Sequence, residues 1–133
     1  MTSTVEYLGA LRTSCVHLAS DNSIITDAPL DNHGKGEAFS PTDLAATSLA
    51  TCMITIMGIT AEGRGWDMVG TKAEVLKIMA ANPRRISRIE ITLHMPSMGL
   101  SEEDQILLEK AAKACPVAKS LHPEIEQVIT FIW

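Results

Sequence analysis

The sequence predicts an α+β fold, in which strands and helices are segregated rather than alternating as βαβ units. Three observations carry this. Apolar and β-branched stretches lie ahead of residue 30, separated by turn formers. An uncharged run over residues 44–61 is too long for a strand. Two alternating stretches, residues 68–79 and 86–95, flank Asn82-Pro83. The predicted order is β-β-α-β-β-α-α-β in one domain spanning residues 1–133. That length supports a real core without metal or disulfide staples.

Residues 5–18 carry β-branched and aromatic side chains and few breakers, so they predict a strand. Asp21-Asn22 marks a turn, and Ile24-Ile25-Thr26 returns as a second strand to close a hairpin. Residues 29–36 form a loop around Asp31, Asn32, Gly34 and Gly36. Ser40 is a good N-cap, Pro41 suits the first helical position, and Asp43 stands three residues after the cap. The helix they start is predicted over residues 41–62, ended by Gly63 and Gly65. It is apolar or hydroxylated on every face, which predicts burial on most sides. Its threonines can bond to carbonyls one turn back.

In the second hairpin Ile89, Ile91 and Leu93 alternate with Arg88, Glu90 and Thr92, giving one dry and one wet face. Ser101 caps the next helix, and Glu102, Glu103 and Asp104 favour its positive end. Pro116 stops or kinks that helix. A short helical turn over residues 117–121 and a last strand over residues 127–133 complete the chain. The long apolar helix needs more cover than two hairpins supply, which predicts packing against a second copy in an intertwined homodimer.

Composition narrows the function. The net charge of −5 disfavours a nucleic-acid partner, since phosphate binding needs a basic surface. Arg84, Arg85 and Arg88 are the only basic cluster and read as a solvated strand entry. The run over residues 44–61 approaches the length of a membrane span. Its threonines, Gly58 and the preceding Asp43 read instead as a core helix, so no membrane is expected. The opening Met-Thr-Ser-Thr-Val-Glu lacks the basic and apolar segments of a secretory signal, which points to the cytoplasm. Aromatics are few, so the core must come from Ala, Ile, Leu, Val and the seven Met.

The chemistry-bearing residues are cysteines. Cys15, Cys52 and Cys115 make an odd count, which argues against a disulfide framework. Cys115 precedes Pro116, so it stands at or beside a helix N-cap, where backbone N–H groups favour thiolate. Cys52 is mid-helix among apolar neighbours, and as a nucleophile it needs a cation from elsewhere in the fold. Arg12, on a strand poor in charge, is the candidate. Cys15 reads as strand packing. His17, His33, His94 and His122 lack metal-ligand spacing, so neither a metal nor a cofactor is expected.

Several segments carry a resemblance when read in order. They are Leu8-Gly9-Ala10-Leu11-Arg12, Thr26-Asp27-Ala28-Pro29, Phe39-Ser40-Pro41-Thr42-Asp43-Leu44, Leu49-Ala50-Thr51-Cys52-Met53, Ala114-Cys115-Pro116-Val117 and Ser120-Leu121-His122-Pro123. The pattern resembles the OsmC/Ohr family of osmotically inducible and organic hydroperoxide resistance proteins, over essentially the whole chain. The two cysteines, 63 residues apart, suit that family's pair.

The resemblance implies an intertwined α+β homodimer and a thiol-dependent peroxidase acting on organic peroxides, with hydrogen peroxide a further candidate. It implies that Cys52 attacks the peroxide and becomes a sulfenic acid, that Cys115 resolves it as a disulfide, and that Arg12 stabilises the thiolate. A dithiol or a lipoylated protein is the implied reductant. The hydroperoxide-resistance branch carries a glutamate directly after the proline; here Thr42 stands there. Glu37 and Asp43 are the candidate replacements as partners of the arginine, and Asp43 has a competing role as the helix-capping residue. Met53, Ile56 and Met57 are candidates for an apolar wall favouring organic peroxides. Two other readings stand beside this one: a non-catalytic dimer that binds a small hydrophobic ligand at its interface, and a structural dimer whose cysteines never meet.

Overall fold

The computed structural model describes residues 1–133. The chain divides into two compact units, Met1–Ala45 and Ala46–Trp133.

The first unit is a three-stranded antiparallel meander of β1 (Ser3–Gly9), β2 (Arg12–His17) and β3 (Ser23–Asp27). The single strand expected over residues 5–18 is therefore two strands. Ala10 and Leu11 turn the chain between them with φ of 50° and 61°, the pair of left-handed residues that a tight hairpin turn requires. That turn chemistry favours Asn and Gly, so two apolar residues there give no signal in the sequence. The Tyr7 hydroxyl accepts the Leu11 N–H at 3.3 Å. The register irregularity between Tyr7 and Gly9 absorbs the extra residue as a bulge. A short 3₁₀ turn, Leu30–Asn32, follows β3.

The long helix α1 spans Pro41–Glu62, the predicted bounds. Its start is a reciprocal cap. The Asp43 N–H donates to Ser40 Oγ at 3.0 Å, and the Ser40 N–H donates to Asp43 Oδ2 at 2.9 Å. α1 begins in the first unit and runs on through the second.

In the second unit, β4 (Lys72–Ala80) and β5 (Arg85–His94) pair antiparallel. β4 starts four residues later than its alternation suggested, because Gly70, at φ 95°, turns the chain first. β6 (Glu126–Ile132) pairs parallel to β5, with Arg88 opposite Glu126. The crossover between them holds α2 (Glu102–Lys113) and α3 (Pro116–Ser120). The core is built where these faces meet. Leu49, Met53 and Met57 of α1 pack with Ile89, Ile91 and Leu93 of β5 and with Leu108 and Ala112 of α2. α1 is long and apolar enough to cross a membrane, yet its stripe of Ala46, Leu49, Ala50, Met53, Met57 and Ala61 is packed in this core. Thr51, Thr55 and Ile59 lie exposed elsewhere on the helix. The Thr55 and Thr60 hydroxyls donate to the carbonyls of Thr51 and Ile56, one turn back, at 2.8 and 3.1 Å.

Candidate functional site

Two clusters of chemistry-bearing residues emerge, one in each unit.

The cluster in the second unit is the cysteine pair. Cys52 is half-buried on α1, against the core. Cys115 is fully buried and is the N-cap of α3, where its Sγ accepts the Ala118 N–H at 3.4 Å. Pro116 at the first helical position explains why the chain turns there. Cys52 packs against the core that holds Cys115 and lies near enough to raise its pKa, and both thiols are free. α2 and the break before Pro116 thus bring together two residues that are far apart in sequence.

The cap was expected to favour a Cys115 thiolate. Burial overturns this. Desolvation pushes the Cys115 thiol up, and the neighbouring Cys52 adds to the rise. The N–H groups of Ala118 and Val117 oppose it and do not win. A sulfur that is hard to ionise suits a partner that waits better than one that attacks first.

The cluster in the first unit centres on Arg12. Arg12 opens β2 and stands opposite Asp27, which closes β3. Its Nε donates to Asp27 Oδ1 at 2.7 Å, and its Nη2 donates to Asp27 Oδ2 at 2.8 Å. The same Nη2 donates to Glu37 Oε2 at 2.7 Å. Asp27 is 1% exposed. Hydrogen bonds from Arg12 hold its carboxyl below the usual carboxylate value against the cost of burial, and the Glu37 N–H helps. The guanidinium is in turn pushed further up, by Asp27 first and Glu37 second.

The loop after β3 delivers Glu37. The Ala28 N–H donates to the Leu11 carbonyl at 3.0 Å, and the Gly36 N–H donates to the Ala28 carbonyl at 3.2 Å. Gly34 lies so close to that carbonyl that a Cβ would sit 1.7 Å from its oxygen, so only glycine fits.

Of the two expected arginine partners, Glu37 is in place. The Asp43 carboxylate is engaged at the helix cap. Asp27 was missed as a partner. The β2–β3 loop is centred near residues 19 and 20, and that register sets Arg12 across from Asp27, whereas a turn at Asp21-Asn22 would have set residue 12 across from residue 31. Cys15 is half-buried on β2, with Thr13 Oγ1 at 3.9 Å from its sulfur. Of the expected apolar wall, Met53 and Met57 are fully buried in the core, and Ile56 is half-buried.

Comparison with known proteins agrees with this fold. The family model described as OsmC-like protein matches residues 34–129. A Psychrobacter arcticus 273-4 structure, described as an osmotic stress induced and detoxification response protein, is 55% identical. It covers 99% of this chain and 96% of its own, with a TM-score of 0.95. An organic hydroperoxide resistance protein OsmC from Legionella pneumophila is 17% identical, covers 100% and 98%, and has a TM-score of 0.77. A Vibrio cholerae protein of the organic hydroperoxide resistance type, with captopril bound in one of its active sites, is 15% identical. It covers 98% and 91%, with a TM-score of 0.71. None of the curated proteins matches this chain. The match of the family model over most of the chain, and a relative more than half identical over nearly all of it, place this protein in the OsmC-like protein family.

Proposed function

We propose that this protein is a thiol-dependent peroxidase that reduces organic hydroperoxides through Cys52 and Cys115. The observation that carries the reading is the proximity of two free thiols of unlike character in one core, one half-buried and one fully buried at a helix cap. The Cys52 thiolate attacks the terminal peroxide oxygen, the O–O bond breaks, and the alcohol leaves with a proton. Cys52 is then a sulfenic acid. The Cys115 thiol condenses with it, a disulfide forms, and water departs. A dithiol, free or carried by a lipoylated protein, returns two electrons and resets both thiols. The sulfur atoms carry the redox change, so the scheme uses no cofactor.

In this reading Arg12 stabilises the attacking thiolate, and Asp27 and Glu37 do the work of the glutamate that Thr42 replaces. The protein works as a cytoplasmic homodimer. Exposed Val5, Tyr7, Ile24 and Ile25 on the first sheet and Ile59 on α1 support a second copy as their cover.

Peptide mass spectrometry of the reduced protein after one equivalent of cumene hydroperoxide tests the reading. The expected product is a Cys52–Cys115 disulfide with Cys15 untouched. Thiols that persist as long as free cysteine would refute catalysis and leave a dimeric binder of a small hydrophobic ligand.

A further inference from the structure

α3 has only five residues, Pro116–Ser120, and a helix that short does not stand without help from outside. At its start the Cys115 sulfur accepts the Ala118 N–H at 3.4 Å, a weak bond because thiol sulfur is a poor acceptor. At its end Leu121 is extended, so the helix supplies no further turn to take the Ala118 carbonyl. β6 takes it instead: Gln127 Nε2 donates to that carbonyl at 3.1 Å. Ala118 therefore links the cap at Cys115 to β6.

Gln127 breaks the pattern of its strand. It stands opposite Ile89 of β5, which is fully buried, and shares its face of β6 with Ile129 and Phe131, both packed against the core. An apolar residue would extend that face. A half-buried amide there costs stability unless it is bonded, and the Ala118 carbonyl is its partner. Beside it lies a cavity of about 250 Å³, lined by Gln127, Met53, Lys113 and Ile129. With open space on that side, packing alone does not fix the amide, and the hydrogen bond does.

We infer that Gln127 is a positioning residue for the resolving thiol: by holding the Ala118 carbonyl it fixes the short helix that Cys115 caps, and with it the place of the Cys115 sulfur near Cys52. The resolving role of Cys115 rests on the peroxidase reading. Closing the disulfide brings the two sulfurs to about 2.05 Å. A tethered Cys115 meets the Cys52 sulfenic acid as a preorganised neighbour, the S–S bond forms, and the thiol proton leaves with the sulfenic hydroxyl as water. An untethered Cys115 leaves the sulfenic acid waiting. A second hydroperoxide then oxidises it to sulfinic acid and departs as its alcohol. Gln127 bonds to α3 and not to Cys52, so the first oxidation does not depend on it.

The test compares wild type with Gln127→Met, which keeps the length and loses the donor, in the full-length reduced protein under excess cumene hydroperoxide. Peptide mass spectrometry reads the rate of Cys52 thiol loss and the ratio of Cys52 sulfinic acid to Cys52–Cys115 disulfide. The ratio should rise about fivefold in Gln127→Met, the weight of one hydrogen bond, while the rate of thiol loss stays as in wild type. Gln127→Lys, which restores a donor, should recover part of the change. Ser87→Ala removes another half-buried bond of this sheet, Ser87 Oγ to the Ile78 carbonyl, and should leave the ratio alone. An unchanged ratio in Gln127→Met, or an equal rise in Ser87→Ala, would overturn the inference. So would a matching fall in the rate of Cys52 thiol loss. Should Gln127→Met fail to fold, Gln127→Glu, ionised and without the donor, decides in its place. If wild-type Cys52 reacts no faster than free cysteine, the peroxidase reading falls. Diamide, a two-electron thiol oxidant, then drives the Cys52–Cys115 disulfide directly. Slower closure in Gln127→Met sustains the positioning role, and equal closure refutes it.

Discussion

Replacing Cys115 with alanine separates its structural role from its chemical one. The side chain is fully buried, and its sulfur caps α3 by accepting the Ala118 N–H. Deleting one buried heavy atom costs about 1 kcal/mol in transfer, with more for the void left behind. Losing the cap adds about 0.5 kcal/mol, the low end for such caps because thiol sulfur is a weak acceptor. The sum, about 1.5–2 kcal/mol, corresponds to a fall in Tm of about 6 °C for a chain of this size. Scanning calorimetry in excess reductant measures it. A Tm within about 1 °C of wild type would refute the buried cap as a stabilising feature. The same variant, treated with cumene hydroperoxide, should gain about 16 and then 32 Da at Cys52, where wild type becomes about 2 Da lighter. If it loses 2 Da instead, another thiol resolves Cys52, and the assignment of Cys115 falls.

Two further outcomes follow from the first unit. Arg12 hydrogen bonds hold the Asp27 carboxyl below its ordinary value of 3.8, so its contribution to stability is complete above that pH. The contribution is lost as pH falls through the lower folded value. Acid unfolding of wild type should therefore include a stability loss beginning below about pH 4 that Asp27→Asn lacks, read by circular dichroism across an acid series. Gly34→Ala would place a Cβ 1.7 Å from the Ala28 carbonyl oxygen, so the loop must open. Limited proteolysis should cut between residues 29 and 37 faster in this variant, and equal cutting rates would show that the loop does not depend on that close approach.

Much of the fold was legible because local chemistry and global structure agree. The Ser40-Pro41-Thr42-Asp43 segment declares a capped helix start and delivers one. Pro116 marks the break that makes Cys115 a cap. The alternation of Ile89, Ile91 and Leu93 names the dry face of β5. Other features were hidden, each for a physical reason. Ala10 and Leu11 adopt left-handed conformations against their own preference, so the first turn left no mark. The electrostatics of Cys115 depend on the solvent that the surrounding core excludes, and neighbours in sequence do not reveal that. The carboxylate environment of Arg12 is set by strand register and loop closure, and a residue-by-residue scan of charges misses it.

The parallel pairing of β5 with β6 has a kinetic consequence. The strands of the first sheet are neighbours in sequence and pair through short turns, so little chain entropy is lost in closing each hairpin. The second sheet is complete only when residue 126 meets residue 88 across a crossover containing two helices. Such non-local closure is slow. The two halves of the chain should therefore acquire protection from hydrogen exchange at different times during refolding, with the first meander early and the β5–β6 amides last.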